Sequence, residues 1–338
     1  MIYKDTLNRL LARQDLDRAE MLALMRALMG GELTPAQIAA AVIALRCKGE
    51  TVTEIAAAAE VMRELSARVE VSDRSHLVDT CGTGGDSLHT FNISTTAAFV
   101  AAACGARVAK HGGRAVSSGS GSADVLEHLG LNLDVGPERV GRLIDTVGLG
   151  FLFAPNHHSA MRHAAPVRRE LGVRTLFNVL GPLTNPAAAP NQVLGVFSGD
   201  LTRKLAEVLK ALGSRHVLVV HGADGLDEIS ISGETHVAEL KDGKILEYTL
   251  APENFGIPRA DLASLRVEGV AESARVLQDV LAGTLGPAAD IVALNAGAAV
   301  YAAGIVGSLQ DGVAAAQRVI ASGGAAARLE ALVRASAG

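Results

Sequence analysis

Apolar positions over the first 70 or so residues recur at helical spacing and predict four helices separated by stop signals. Leu7, Leu10 and Leu11 form the first stripe. Leu22, Met25, Leu28 and Met29 form the second, closed by Gly30-Gly31, where left-handed backbone costs little. Thr34-Pro35 starts a third helix, with Ile38, Val42 and Leu45 on its buried face. Thr51 and Glu54 make the capping box of a fourth, with Ile55, Met62 and Leu65 inward.

From about residue 76 the rhythm changes. Short β-rich runs at Leu77-Val78, Arg107 to Ala109, Phe151 to Phe153, Val193 to Phe197 and His216 to Val220 alternate with helical segments at 94–103, 122–129, 137–146, 159–171 and 201–212. That alternation predicts an α/β fold with a mostly parallel central sheet. A hairpin is expected from Thr235 to Thr249, turning at Asp242-Gly243, and the chain from about 273 reads as Ala-rich helix. The expected division is an α-helical domain at 1–70, joined by a helical segment near 160–190, and an α/β domain at 71–338.

Composition narrows the function classes. The 338 residues carry a net charge of -5, which gives no basic footprint for nucleic acid or an anionic membrane. Three cysteines, Cys47, Cys81 and Cys104, have no CxxC spacing, so neither a disulfide framework nor a zinc site is expected. The start lacks the pattern of a secretory signal, and a cytoplasmic location is expected. Residues 291–310 are uncharged, but they are rich in Ala and Gly and read as a buried helix rather than a membrane span.

The candidate chemistry lies in loops. Asp79-Thr80-Cys81-Gly82-Thr83-Gly84-Gly85-Asp86 follows the first β-run, and glycines there let an anion approach backbone N–H groups. A helix beginning near Ser94-Thr95 adds its unpaired N–H groups and dipole, and hydroxyls at Thr83, Ser94, Thr95 and Thr96 are available to finish a phosphate cradle. A second loop, Lys110-His111-Gly112-Gly113-Arg114 through Ser117-Ser118 to Asp124, sets two cations and four serines among glycines and reads as another anion site. A third loop at 154–158 belongs on the same rim, beyond the strand C-termini. Asp227-Glu228, just after a predicted strand, suits Mg²⁺, which takes one or two carboxylates and completes its shell with phosphate oxygens and water. His158, Met161 and Arg168 fall on one face if 159–171 is a single helix, with Arg168 placed to hold a carboxylate. No Walker lysine and no GxGxxG pattern is present.

Taken together, Gly82-Thr83-Gly84-Gly85-Asp86, Asn92-Ile93-Ser94-Thr95, Lys110-His111-Gly112, Gly181 to Pro186 and Asp227-Glu228 resemble the anthranilate phosphoribosyltransferase family, which shares its fold with the class II pyrimidine nucleoside phosphorylases. The resemblance spans essentially the whole chain. It implies a small helical domain plus an α/β domain, a homodimer formed through the helical domain, Mg²⁺ as cofactor, and 5-phosphoribosyl-1-pyrophosphate (PRPP) and anthranilate as substrates. It assigns PRPP to Gly82, Thr83, Gly84, Gly85, Asp86, Thr90, Asn92, Ser94, Thr95, Lys110, Ser117 and Ser118. Mg²⁺ goes to Ser94, Asp227 and Glu228, and anthranilate to Gly82, Gly113, Pro155, His158, Met161 and Arg168. Lys110 and Arg168 are the implied catalytic pair. Gly113 stands where the family usually has asparagine, a departure on the acceptor side only. The alternatives are a pyrimidine nucleoside phosphorylase of the same fold, against which Asp227-Glu228 argues, and a non-catalytic nucleic-acid-binding relative, against which the charge argues.

Overall fold

The computed structural model describes residues 3–86, 88–115 and 119–337. It begins with the four expected helices, α1 (Tyr3–Leu11), α2 (Arg18–Met29), α3 (Pro35–Lys48) and α4 (Val52–Glu64). Reciprocal capping boxes open α2, α3 and α4 through Asp17/Glu20, Thr34/Gln37 and Thr51/Glu54, each satisfying two backbone N–H groups that the helix leaves unpaired. The predicted stripes are buried except for Leu7, which is half-buried, and two exposed positions. Leu11 is 66% exposed, because adjacent helical residues diverge by about 100° and Leu10 already takes the inward position. Leu65, 40% exposed, lies past the end of α4 as its C-cap.

The sheet has seven strands: β1 (Leu77–Gly82), β2 (Arg107–Gly112), β3 (Leu149–Phe153), β4 (Asn191–Gly195), β5 (His216–Gly222), β6 (Thr235–Lys241) and β7 (Lys244–Leu250). Their order is β3-β2-β1-β4-β5-β6-β7. The first five are parallel, and the β6–β7 hairpin adds antiparallel to β5. The hairpin turns at Asp242 and Gly243, both at positive φ (51° and 73°), as a two-residue turn matched to the strand twist requires. Since β1, β2 and β3 are parallel neighbours, their C-terminal loops share one rim of the sheet.

Helices α5 (Ile93–Ala103), α6 (Ser122–His128), α7 (Pro137–Val147), α8 (Ala154–His157), α9 (Ala165–Leu171), α10 (Phe177–Leu180) and α11 (Leu201–Ala211) connect the strands. α12 (Val270–Leu281), α13 (Pro287–Ala302), α14 (Leu309–Ala321) and α15 (Ala326–Ala337) complete the chain. Strand residues alternate between two cores. Val193, Leu218 and Val220 face a core shared with α5, α12, α13 and α14, while Leu194, Val217 and Val219 face one shared with α2, α3, α4 and α11. The helical bundle is thus continuous with one face of the sheet.

Three segments differ from the sequence expectation. Most of the expected loop at 154–158 is the short helix α8, with Pro155 in its first turn, where its missing N–H costs no hydrogen bond. Residues 159–171 form a 3₁₀ turn at Ser159–His163 followed by α9, because Pro166 has no N–H to continue a helix through it and is tolerated only in a first turn. His158 therefore lies between α8 and the 3₁₀ turn, Met161 in the turn and Arg168 on α9, rather than all on one helix face. Residues 291–310 are split between α13 and α14 at Gly304, whose φ is +72°. Among the described residues no helix is long and apolar enough to cross a membrane.

Candidate active site

The first glycine loop is held from three sides. Thr83 donates its N–H to the Gly195 carbonyl at 2.9 Å, and its Oγ1 accepts the Phe197 N–H at 3.1 Å. Gly84 and Gly85 take φ of +65° and +81°, the left-handed region that glycine enters without strain, and Arg174 donates to the Gly85 carbonyl. The Gly84 N–H donates to Asp227 Oδ2 at 2.8 Å. In the opposite wall, the Ser94 N–H at the head of α5 donates to Glu228 Oε1 at 3.1 Å. The acidic pair thus takes amides from both the glycine loop and the helix N-terminus, where positive partial charge collects.

Asp227 reaches this position because the floor beneath it has no side chains. Gly82 and Gly195 are register partners on β1 and β4. A Cβ on Gly82 would lie 2.7 Å from Asp227 Oδ2 and one on Gly195 would lie 1.6 Å from the Asp227 carbonyl oxygen. Asp224 braces the same loop, with Oδ1 accepting the Leu226 N–H at 3.1 Å and Oδ2 accepting the Ser230 and Ser232 hydroxyls. Burial pushes both Asp227 and Glu228 above the ordinary carboxylate range. Asp86 adds to the effect on Asp227, and Asp227 adds to that on Glu228. A half-buried pair of adjacent carboxylates of this kind fits a divalent cation. Among the described residues no group of three or more His, Cys, Asp or Glu has a metal-holding arrangement, so a Mg²⁺ held by this pair would need further ligands from phosphate oxygens and water.

Lys110 is buried within β2, with its ammonium donating to the Thr80 carbonyl and to Ser94 Oγ at 3.3 Å. This puts the positive charge beside the acidic pair. Asn92 precedes α5; its Oδ1 accepts from Ser273 Oγ at 2.8 Å and Ser120 Oγ at 3.2 Å. Thr95 Oγ1 is buried without a hydrogen-bond partner, whereas the Thr96 hydroxyl is taken by the Asn92 carbonyl at 2.9 Å and leaves the expected cradle. Thr90 lies beyond the loop in an isolated bridge with Arg266, and Asp86 Oδ1 accepts the Leu88 N–H at 3.2 Å. Asp79, which opens the glycine stretch, faces inward. Its carboxylate accepts from Asn185 Nδ2 at 2.7 Å and from the His111 N–H at 3.1 Å, and burial raises its pKa to about 6.

The second loop is organised differently from the expectation. Arg114 is committed to Asp124 at 3.0 Å and Glu127 at 2.7 Å, so the loop's free cation is not Arg114. Asp124 Oδ2 accepts the N–H groups of Ala115 and Gly121 at 2.9 and 3.0 Å, closing the neck of the loop. Ser117 and Ser118 lie outside the described residues.

On the side where the resemblance expects the acceptor, His158 meets His111 edge to face at 5.1 Å between ring centroids. Burial, and for both rings also neighbouring histidines, lowers their pKa values to about 4 and about 3. Both rings are neutral at pH 7, and the Nε2 of each is buried without a partner. The Arg168 guanidinium lies 5.3 Å from the centre of the Phe177 ring, and burial lowers its pKa. It has no carboxylate partner among the described residues. Pro155 is exposed in the first turn of α8, Met161 packs against the bundle-side core, and a Cβ on Gly113 would meet nothing within 4 Å.

Sequence reasoning gave no separate role to Gly195, His111, Asn185, Asp224 or Arg174. For Gly195 the available signal was a glycine ending the β-run Val193-Leu194, as Gly82 ends its own strand. Asn185, in the Gly181 to Pro186 segment, donates to Asp79 and to the Ala109 carbonyl and so ties β1 to β2.

The chain matches the glycosyl transferase family, helical bundle domain, over residues 4–66, and the glycosyl transferase family, a/b domain, over residues 74–326. It is 63% identical to the anthranilate phosphoribosyltransferase of Chromobacterium violaceum over 327 residues, covering 97% of this chain and 96% of the relative. The solved structure of anthranilate phosphoribosyltransferase from Thermus thermophilus superposes with a TM-score of 0.94 at 49% identity, covering 99% of this chain and 100% of that one. The Saccharomyces cerevisiae enzyme in complex with PRPP and Mg superposes with a TM-score of 0.88 at 29% identity, covering 99% and 98%.

Proposed function

The chain belongs to the glycosyl transferase family built from a helical bundle domain and an a/b domain, and from that premise we propose that it transfers 5-phosphoribose from PRPP to the amine of anthranilate, releasing pyrophosphate, with Mg²⁺ as cofactor. The observation that carries the reading is the acidic pair Asp227-Glu228 bonded to the Gly84 and Ser94 amides, with Lys110 alongside: a cation site and an anion cradle built as one unit.

PRPP occupies the Gly82 to Asp86 loop with Thr90, Asn92, Ser94, Thr95, Lys110, Ser117 and Ser118. Asp227, Glu228 and Ser94 hold Mg²⁺, which when bound supplies positive charge to the phosphates of the leaving group. The Lys110 ammonium and the loop N–H groups not already given to Gly195 and Asp227 stabilise the charge that leaves with pyrophosphate, and they are fixed before the reaction begins. Anthranilate lies along Gly82, Gly113, Pro155, His158 and Met161, its carboxylate on the unpaired Arg168 guanidinium. Attack by the aromatic amine on the ribose carbon forms the C–N bond as the C–O bond to pyrophosphate breaks, through an oxocarbenium-like transition state, and the acidic arylammonium so formed loses its proton to water. No side-chain nucleophile takes part. His111 and His158, neutral and desolvated, add no charge to a site that must hold a neutral amine.

The working division is a helical domain at 1–70, joined by the segment near 160–190, and an α/β domain at 71–338. A cytoplasmic homodimer assembled through the helical domain completes the proposal. Its test is pyrophosphate release from PRPP that requires both anthranilate and Mg²⁺. Mg²⁺-independent phosphorolysis of uridine or thymidine would instead identify a phosphorylase.

A further inference from the structure

We propose that Arg174 is a positioning residue that holds the glycine loop in its phosphate-binding form, a role that deepens the reading above and rests on it. Arg174 lies three residues beyond the end of α9, the helix that carries Arg168, after the left-handed turn at Gly172. Its guanidinium donates to the Gly85 carbonyl and stacks on Phe197, with Cζ 4.0 Å from the ring centroid. Phe197 in turn donates its N–H to Thr83 Oγ1 at 3.1 Å. A Cβ on Gly85 would lie 3.1 Å from Arg174 Nη2, so the guanidinium plane covers the face that glycine leaves open.

The loop needs such a hold. Two consecutive residues at positive φ have broad backbone freedom as glycines, and fixing them only on binding costs affinity. The other holds come from Gly195 and Phe197 on Thr83 and from Asp227 on Gly84. Among these, the Arg174 hold alone reaches Gly85 itself, and it alone comes from the segment that follows Arg168. A planar guanidinium suits both tasks at once, since it donates in its plane and stacks on its face.

The experiment compares the full-length protein with Arg174→Ala and Arg174→Lys by steady-state kinetics and by calorimetric titration with PRPP and Mg²⁺. The side chain is exposed, so the thermal midpoint should stay with the wild type. For Arg174→Ala the expected result is a KM and Kd for PRPP about tenfold higher, with kcat within about threefold and the KM for anthranilate within about twofold. Arg174→Lys should fall between, because an ammonium donates but does not stack as a plane. Guanidinium chloride at tens of millimolar should recover part of the PRPP affinity of the alanine variant. Unchanged PRPP affinity in Arg174→Ala overturns the inference, as does an equal rise in both KM values. Absence of wild-type turnover with anthranilate counts against the proposed reaction instead, and the PRPP titration still decides the role of Arg174.

Discussion

Gly195 and Asp227 are packed backbone to backbone, so closely that a Cβ on Gly195 would lie 1.6 Å from the Asp227 carbonyl oxygen. The end of β4 therefore fixes the height of the acidic pair above the sheet. Gly195→Ala must push Asp227 and Glu228 away from the Gly84 and Ser94 amides, since backbone rather than a flexible side chain blocks the methyl. The expected outcome is a loss of kcat/KM of about 100-fold or more, with a higher Mg²⁺ requirement, read by titrating activity against Mg²⁺.

Lys110 is asked to stabilise departing charge. A preorganised donor in a dry site is worth about 3–4 kcal/mol, so Lys110→Ala should lower kcat by a factor on the order of a hundred or more. Burial of the lysine among Thr80 and Ser94 makes Lys110→Met the better-packed companion variant. A turnover near that of the wild type in both would remove Lys110 from the role.

Gly113 has open space where a Cβ would go and its φ lies outside the left-handed region. Gly113→Asn should fold with stability within about 0.5 kcal/mol of the wild type. If the position serves the acceptor, as the resemblance implies, the variant should lower the KM for anthranilate and leave that for PRPP unchanged. Steady-state kinetics with each substrate varied in turn make the check.

Far from the rim, Glu239 accepts hydrogen bonds from the Tyr301 and Tyr248 hydroxyls at 2.8 and 2.9 Å, with His216 Nε2 at 2.8 Å. Burial opposes its ionisation, but these hydrogen bonds outweigh burial and hold its pKa below the ordinary glutamate value. A depressed carboxylate contributes stability that is present above the unfolded-state pKa and is lost as pH falls through the folded value. Glu239→Gln should therefore destabilise by about 2 kcal/mol at pH 5, and the difference should shrink by pH 3.5. Urea unfolding of both proteins at the two pH values reads it.

Much of the architecture was legible because local chemistry spoke for itself: the capping residues Thr34 and Thr51 mark helix starts, and Asp242-Gly243 marks the hairpin. The glycine loop and Asp227-Glu228 stood out for the same reason. What stayed hidden depends on tertiary neighbours. Arg114 reads as a free cation until Asp124 and Glu127 fold against it. The single helix at 159–171 was a periodicity reading that Pro166 overrides. His111 and His158 meet only when β2 and β3 pair, and Gly195 matters only because Asp227 lies on it.

Anthranilate is fluorescent, and its consumption reports the proposed bond directly. With purified protein, PRPP and Mg²⁺, the fluorescence should fall in step with one pyrophosphate released per anthranilate consumed, and chelating Mg²⁺ should stop both. Anthranilate fluorescence that stays constant in the presence of PRPP and Mg²⁺ would contradict the account.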